Sequence, residues 1–331
     1  MTPPAFTAST RSGPVTTYRS PSRESRALYW GARATLRNIY RAWPLTDTGI
    51  RGLGAVERSF ARLPRPRGVN VEQSVTGGVA VTSMTPAPAG HNEAASDTVL
   101  ADTSVLYLPG GAFLFCGPAT HARVCAGLAV ELGVPVHAVN YRKLPDADLG
   151  AVVEDAYAAY RALAERTPDG HRIVVAGDSA GGFLAAKLCE LADLDGIRRP
   201  AAMVGHSPLF DLDAEVRDSH RIYLDAYQPA STVRRAQKLW ASQSAGVRGA
   251  RSMLDVDPEV FPPTLITLAA GELVEPVALA LTEQQYVAGR PVETHRWHTA
   301  VHAFPVLDSL TPESRRARDL TSEFLHRVLA S

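Results

Sequence analysis

The chain has 331 residues, and its 34 Lys and Arg balance 34 Asp and Glu. That is long enough for one large α/β domain with a sizeable core, and the zero net charge gives no sign of a nucleic-acid or membrane-surface partner. No apolar run approaches the roughly 20 residues needed to cross a bilayer.

The three cysteines, Cys116, Cys125 and Cys189, are an odd number without metal-ligand spacing. They point to reduced thiols in a cytoplasmic protein and to no metal site. Residues 1–26 are rich in Ser, Thr, Pro and Arg and lack the apolar segment of a secretory signal, so a disordered N-terminal tail is expected. From Ala27 to Leu63 apolar residues recur at three and four, first Leu28, Tyr29, Ala32, Leu36 and Ile39, then Ile50, Leu53, Val56 and Phe60. This predicts helices over 27–63, ended by Pro64-Arg65-Pro66.

Two alternating strands are expected at Val69–Val75 and Val79–Met84, followed by a Pro/Gly/Ala loop, Pro86 to Ala95. Thereafter strands and helices alternate. Strands are predicted at Ser104–Leu108, Pro135–Val139, Ile173–Ala176, Ala202–Gly205, Thr264–Ala269 and Val292–Trp297. Helices are predicted at His121–Leu132, Leu149–Arg166 and Phe183–Leu191. Such a rhythm means a mainly parallel sheet of about eight strands with helices on both faces, and ligands at the strands' C-terminal ends. The rhythm lapses over 211–257, a polar, helix-capable stretch with Val233, Ala236, Leu239 and Trp240 on one face. Its length argues for a functional insertion such as a lid.

The stretch from Ile173 to Cys189 carries the chemistry. An apolar strand runs into Gly177-Asp178-Ser179-Ala180-Gly181-Gly182 and then into a helix. This is the G-x-S-x-G turn that holds a serine out at the tip, with helix N–H groups aimed back at it. A serine needs a base and an orienter, which follow it in the order acid, then His. Glu272 is the first carboxylate past the strand Thr264–Ala269, with Glu275 as the alternative. His302 lies clear of the last strand, whereas His295 and His298 lie in or beside it. For an oxyanion hole, the loop Pro109-Gly110-Gly111-Ala112-Phe113 offers the N–H groups of Gly110 and Gly111, and Ala180 the third.

These motifs, with Asn140-Tyr141-Arg142-Lys143-Leu144-Pro145-Asp146, Ser207-Pro208-Leu209-Phe210-Asp211-Leu212 and His302-Ala303-Phe304, resemble the hormone-sensitive-lipase-like branch (bacterial carboxylesterases) of the α/β-hydrolase family. The resemblance covers roughly Val69 to Leu329. It implies an α/β-hydrolase fold, with a catalytic domain over 64–210 and 258–331 and a helical cap built from 27–63 and the insertion 211–257. It implies hydrolysis of carboxylic esters, with Ser179 as nucleophile, His302 as base, and Gly110, Gly111 and Ala180 as oxyanion hole, with no cofactor and no metal. Tyr141, Arg142 and Asp155 match structural residues of the family. The implied partner is a small-molecule ester; a homodimer is one assembly consistent with this reading, and the oligomeric state stays open.

The sequence departs from the family in three places. Pro109 and Ala112 stand where the family's His-Gly-Gly-Gly loop has histidine and glycine, the acid turn is of the less common Glu type, and the tail before Ala27 has no counterpart. Two other outcomes fit the same fold. One is a biosynthetic enzyme that passes its acyl group to an alcohol or amine or closes a lactone. The other is a non-catalytic small-molecule receptor, against which the presence of His302 counts. Tyr29, Trp30, Tyr223, Tyr227 and Trp240 suggest an aromatic wall to the pocket.

Overall fold

The computed structural model describes residues 9–88, 99–215, 225–244 and 246–330. Among these, ten strands form one sheet: β1 (Ser9–Ser12), β2 (Val15–Tyr18), β3 (Val69–Thr76), β4 (Val79–Pro86), β5 (Thr103–Leu108), β6 (Val136–Val139), β7 (Arg172–Asp178), β8 (Ala202–His206), β9 (Thr264–Ala269) and β10 (Val292–Trp297). Their order across the sheet is β1-β2-β10-β9-β8-β7-β5-β6-β4-β3. Pairing is parallel from β2 through β6 and antiparallel at both margins.

The central strands are buried end to end because helices cover both faces. Their period of two divides the core. Leu106, Leu108, Ile173, Val175 and Ile266 point into one cluster, under α5 (Leu149–Arg166), α6 (Ala180–Leu194) and α8 (Glu275–Val287). Val105, Tyr107, Val174, Ala176 and Leu265 point into the other, under α4 (Ala122–Leu132) and α9 (Pro312–Leu329). Asp148 caps α5 by accepting the Ala151 N–H at 2.7 Å, and Gly133, with φ of 68°, ends α4.

The sheet has ten strands among the described residues, where about eight are expected. One expectation needs correction: residues 9–18 of the expected disordered tail are folded. β1 and β2 form a hairpin, and β2 pairs in parallel with β10. Tyr18 stacks on Trp297 at 4.5 Å between ring centroids, and its hydroxyl meets His295 Nδ1 at 3.0 Å. Residues 1–8 lie outside the described residues.

The N-terminal helical stretch is three helices: α1 (Arg23–Ala34), α2 (Leu36–Ala42) and α3 (Asp47–Phe60). Pro44 lies in the gap between the last two, and Thr46 then caps α3. The insertion carries α7 (Ala230–Ser242). Thr232 Oγ1 donates to Tyr40 O at 3.0 Å, so α7 is tied to α2. Glu57 of α3 accepts the N–H groups of Ala119 and Thr120, seating that helix on the loop before α4.

Candidate active site

Five consecutive strands of the sheet, β5, β7, β8, β9 and β10, end beside one another. The loops leaving them carry Gly110, Ser179, Ser207, Glu272 and His302, in that order.

Ser179 sits between β7 and α6 with φ of 50° and ψ of −121°, a conformation that non-glycine residues seldom adopt. Such strain persists only where the surroundings over-determine it. Here the Ser179 N–H donates to His206 O at 3.0 Å, and Ser179 O accepts from Leu209 N at 2.8 Å and Gly182 N at 3.0 Å. A Cβ on Gly181 would run into the carbonyl of Leu108, so only glycine lets α6 start this close to β5.

Glu272 and His302 meet: Nδ1 of the imidazole lies 2.7 Å from Glu272 Oε2, and both side chains are buried. The other oxygen of Glu272 accepts the Ala269 N–H at 2.9 Å. Glu275 is not beside His302; it accepts the Gly271 N–H at 2.7 Å and pairs with Arg296. His298 contacts Arg296 instead, and His295 lies within β10 against Tyr18. Burial alone would lower the pKa of His302, but the bonded Glu272 carboxylate, with the charges of Asp225 and Asp178, holds it above its ordinary value. Burial raises Glu272, and His302 offsets only part of that.

Ser179 Oγ makes no hydrogen bond to His302. The Nε2 atom of His302 is buried and has no hydrogen-bond partner among the described residues. Catalytic hydrogen bonds to a nucleophile commonly tighten only once substrate is bound.

Gly110 is a correction. Its N–H donates to Asp178 Oδ1 at 3.0 Å and so is spent within the protein. Among the described residues, the N–H groups of Gly111, Ala112 and Ala180 donate to no protein acceptor. Three side chains orient this loop: Tyr141 donates its hydroxyl to Pro109 O, Asp178 takes the Gly110 N–H, and Trp240 Nε1 donates to Ala112 O at 3.0 Å. Ala112 and Phe113 stand at φ of 56° and 62°, so the loop is strained as well as tied.

Sequence reasoning missed this network. Asp178 is buried and also meets His121 Nε2 at 3.0 Å and the Tyr107 hydroxyl at 3.1 Å. Burial would raise its pKa, but His121, Gly110 and Tyr107 together bring it below the ordinary carboxylate value. The aspartate lies inside the serine motif, which is the signal that could have found it. Ser207 was also missed; its hydroxyl accepts the Ala303 N–H at 2.9 Å and fixes the His302 loop. Arg142 forks onto Asp155, with bonds of 2.9 and 2.7 Å.

Of the aromatic residues, Tyr227 touches His302, its hydroxyl donating to His302 O at 3.0 Å, and Trp240 packs edge-on against Phe113. Tyr29 is buried against α9 and the loop after β10, Trp30 is exposed, and Tyr223 lies outside the described residues. A small apolar cavity between α7 and the loops after β8 and β9 is lined by Leu209, Phe210, Val233, Trp240, Leu273 and Val274.

Comparison with known proteins agrees with this architecture. Residues 105–306 match the sequence model of Abhydrolase_3, described as an alpha/beta hydrolase fold. Esterase LipU of Mycobacterium tuberculosis is 35% identical over 68% of this chain and 78% of its own length. Carboxylesterase/phospholipase LipF of the same species is 34% identical over 68% of this chain and 62% of its own length. A hormone-sensitive lipase from a metagenome library, known from its crystal structure, superposes with a TM-score of 0.75 at 25% identity, over 92% of this chain and 98% of that one.

Proposed function

The chain belongs to the α/β-hydrolase family, and from that premise we propose that it is a carboxylic ester hydrolase working through Ser179, His302 and Glu272. Ser179 Oγ attacks the acyl carbon while His302 Nε2 takes its proton. The tetrahedral oxyanion is received by the N–H groups of Gly111 and Ala180 at the start of α6, with Ala112 as the third donor in place of Gly110. His302 then gives the proton to the departing alcohol, leaving an acyl-serine. Water, deprotonated by the same imidazole, releases the acid. Glu272 holds the ring and stabilises its cation throughout.

The observation that carries this reading is the buried contact between Glu272 and His302, with Nε2 left unpartnered at the strand ends that also carry the strained Ser179. A buried polar atom without a partner is costly, and an atom that exchanges a proton in turnover accounts for it. Helices α1 to α3 and α7 serve as the cap, and the apolar cavity beside Leu209 and Trp240 takes part of the substrate. The free cysteines support a reducing, cytoplasmic setting.

The test is Ser179→Ala against p-nitrophenyl acetate, with intact-protein mass after fluorophosphonate treatment as a second readout. Turnover should fall by about 10⁴-fold or more, and the mass adduct should vanish, with the circular dichroism spectrum unchanged. Retained turnover or retained labelling overturns the assignment.

A further inference from the structure

Asp225, in the segment leading into α7, is 3% exposed and is not used in the mechanism above. Its carboxylate is half satisfied. Oδ1 accepts the N–H groups of Tyr227 at 3.0 Å and Gln228 at 2.8 Å, the pattern of an Asx turn. Oδ2 is buried and has no hydrogen-bond partner among the described residues. Arg37 Nη1 and Arg33 Nη1 approach this residue but bond to its main-chain carbonyl, at 2.7 and 3.3 Å.

This turn lies against His302. Tyr227, whose N–H holds Asp225, sets its ring edge-on to the imidazole at 6.1 Å and donates its hydroxyl to the His302 carbonyl. The charges of Asp225 and His302 act on one another. Two buried, unpartnered polar atoms therefore lie in one region, His302 Nε2 and Asp225 Oδ2. The first is explained by proton transfer. The second is an acceptor with no donor, and a buried acceptor left unpaired is costly.

The geometry points to Asp225 as the receptor for a hydroxyl on the alcohol half of the substrate, so that the preferred esters are monoesters of diols or polyols. The inference rests on the proposed esterase reading, because it uses the side from which His302 protonates the leaving alcohol. That alcohol departs past His302, so a carboxylate on the turn that packs against the imidazole meets the alcohol rather than the acyl chain. A neutral hydroxyl fits better than an ammonium, since Arg33 and Arg37 already place two positive groups next to the turn.

The probe is a pair of nearly isosteric esters, propyl acetate and 2-hydroxyethyl acetate. Wild-type kcat/KM should favour the hydroxy ester by about tenfold or more, as expected where a site is built to bond a substrate hydroxyl. Asp225→Leu should bring the ratio close to one, and Asp225→Asn, which keeps an acceptor, should retain an intermediate ratio. A wild-type ratio near one overturns the inference, as does a ratio unchanged in Asp225→Leu. So does an equal loss on both esters, which would mean that Asp225 acts only through His302. Failure of the esterase reading itself looks different: neither ester would be turned over and Ser179 would not be acylated. Thermal unfolding of both variants reports whether they are folded, and the Asn variant keeps the comparison open if the Leu variant is not.

Discussion

Trp240 Nε1 donates to the carbonyl of Ala112 at 3.0 Å, joining the helix of the insertion to the loop that carries the amides proposed to bind the oxyanion. That bond fixes the peptide plane between Ala112 and Phe113. Both residues sit in a left-handed conformation that costs about 1–3 kcal/mol each and needs outside support.

Trp240→Phe keeps an aromatic ring against Phe113, which the indole meets edge-on at 5.7 Å, and removes only the N–H donor. We expect kcat to fall by about 10- to 100-fold, somewhat below the loss of an oxyanion donor itself, with KM little changed. Steady-state kinetics on a short aryl ester check this. An unchanged kcat would mean that Tyr141 and Asp178 suffice to hold the loop.

The two glutamates of the β9 loop should separate cleanly. Glu272→Gln replaces the carboxylate on His302 with an amide and should lower kcat by about 10³- to 10⁴-fold at neutral pH. Glu275→Gln removes the charge that pairs with Arg296 and leaves only an amide oxygen for the Gly271 N–H. It should cost stability, about 1–3 kcal/mol, while kcat stays within a few-fold. Urea unfolding alongside kinetics distinguishes these outcomes, and the reverse pattern would exchange the roles of the two residues.

The pH profile follows from His302. In the proposed mechanism His302 is the base and must be neutral, so kcat/KM rises with pH through its pKa and then levels. Glu272, Asp225 and Asp178 outweigh the effect of burial, so the midpoint of the acid limb should lie above the ordinary 6.5. Asp225→Asn removes one of the charges that raise it and should move that midpoint to lower pH. A midpoint at or below 6.5 in the wild type would contradict the electrostatics of this site.

Asp178 and His121 form a buried pair whose loss should be felt in stability. Asp178→Asn leaves His121 without its counter-charge and should cost about 3–5 kcal/mol. The sign with pH runs two ways. The Asp178 pKa is depressed, so its contribution is present above the unfolded value of 3.8 and is lost as pH falls through the folded one. The His121 pKa is raised, so its contribution is full below 6.5 and is lost as pH rises through the folded value. Urea midpoints should therefore be highest between these limits in the wild type, and that excess should disappear in Asp178→Asn.

The loops that come together at the strand ends were legible because their signals are local. The buried strands are continuous apolar runs, the serine turn is bracketed by glycines, and Glu272 and His302 each follow a strand end. What was not legible depends on partners far along the chain. Nothing near Gly110 says that its N–H is taken by an aspartate of β7. Nor does the sequence around Trp240 reveal what its indole meets, since that neighbour comes from the loop after β5. The hairpin at 9–18 was missed because Ser9–Ser12 and Val15–Tyr18 are short and mostly polar. They have no apolar periodicity, and the strand they join, β10, lies more than 270 residues away.

That hairpin changes what the margin of the sheet exposes. Without it, β10 would present a bare row of amides and carbonyls flanked by Trp297, an invitation to strand addition by any neighbouring molecule. Instead the outermost strand is Ser9-Thr10-Arg11-Ser12, four exposed residues with a cation among them. Such a strand is too short and too hydrophilic to template further pairing, so trimming the first 18 residues would put the protein at risk of aggregation well before it touched the chemistry.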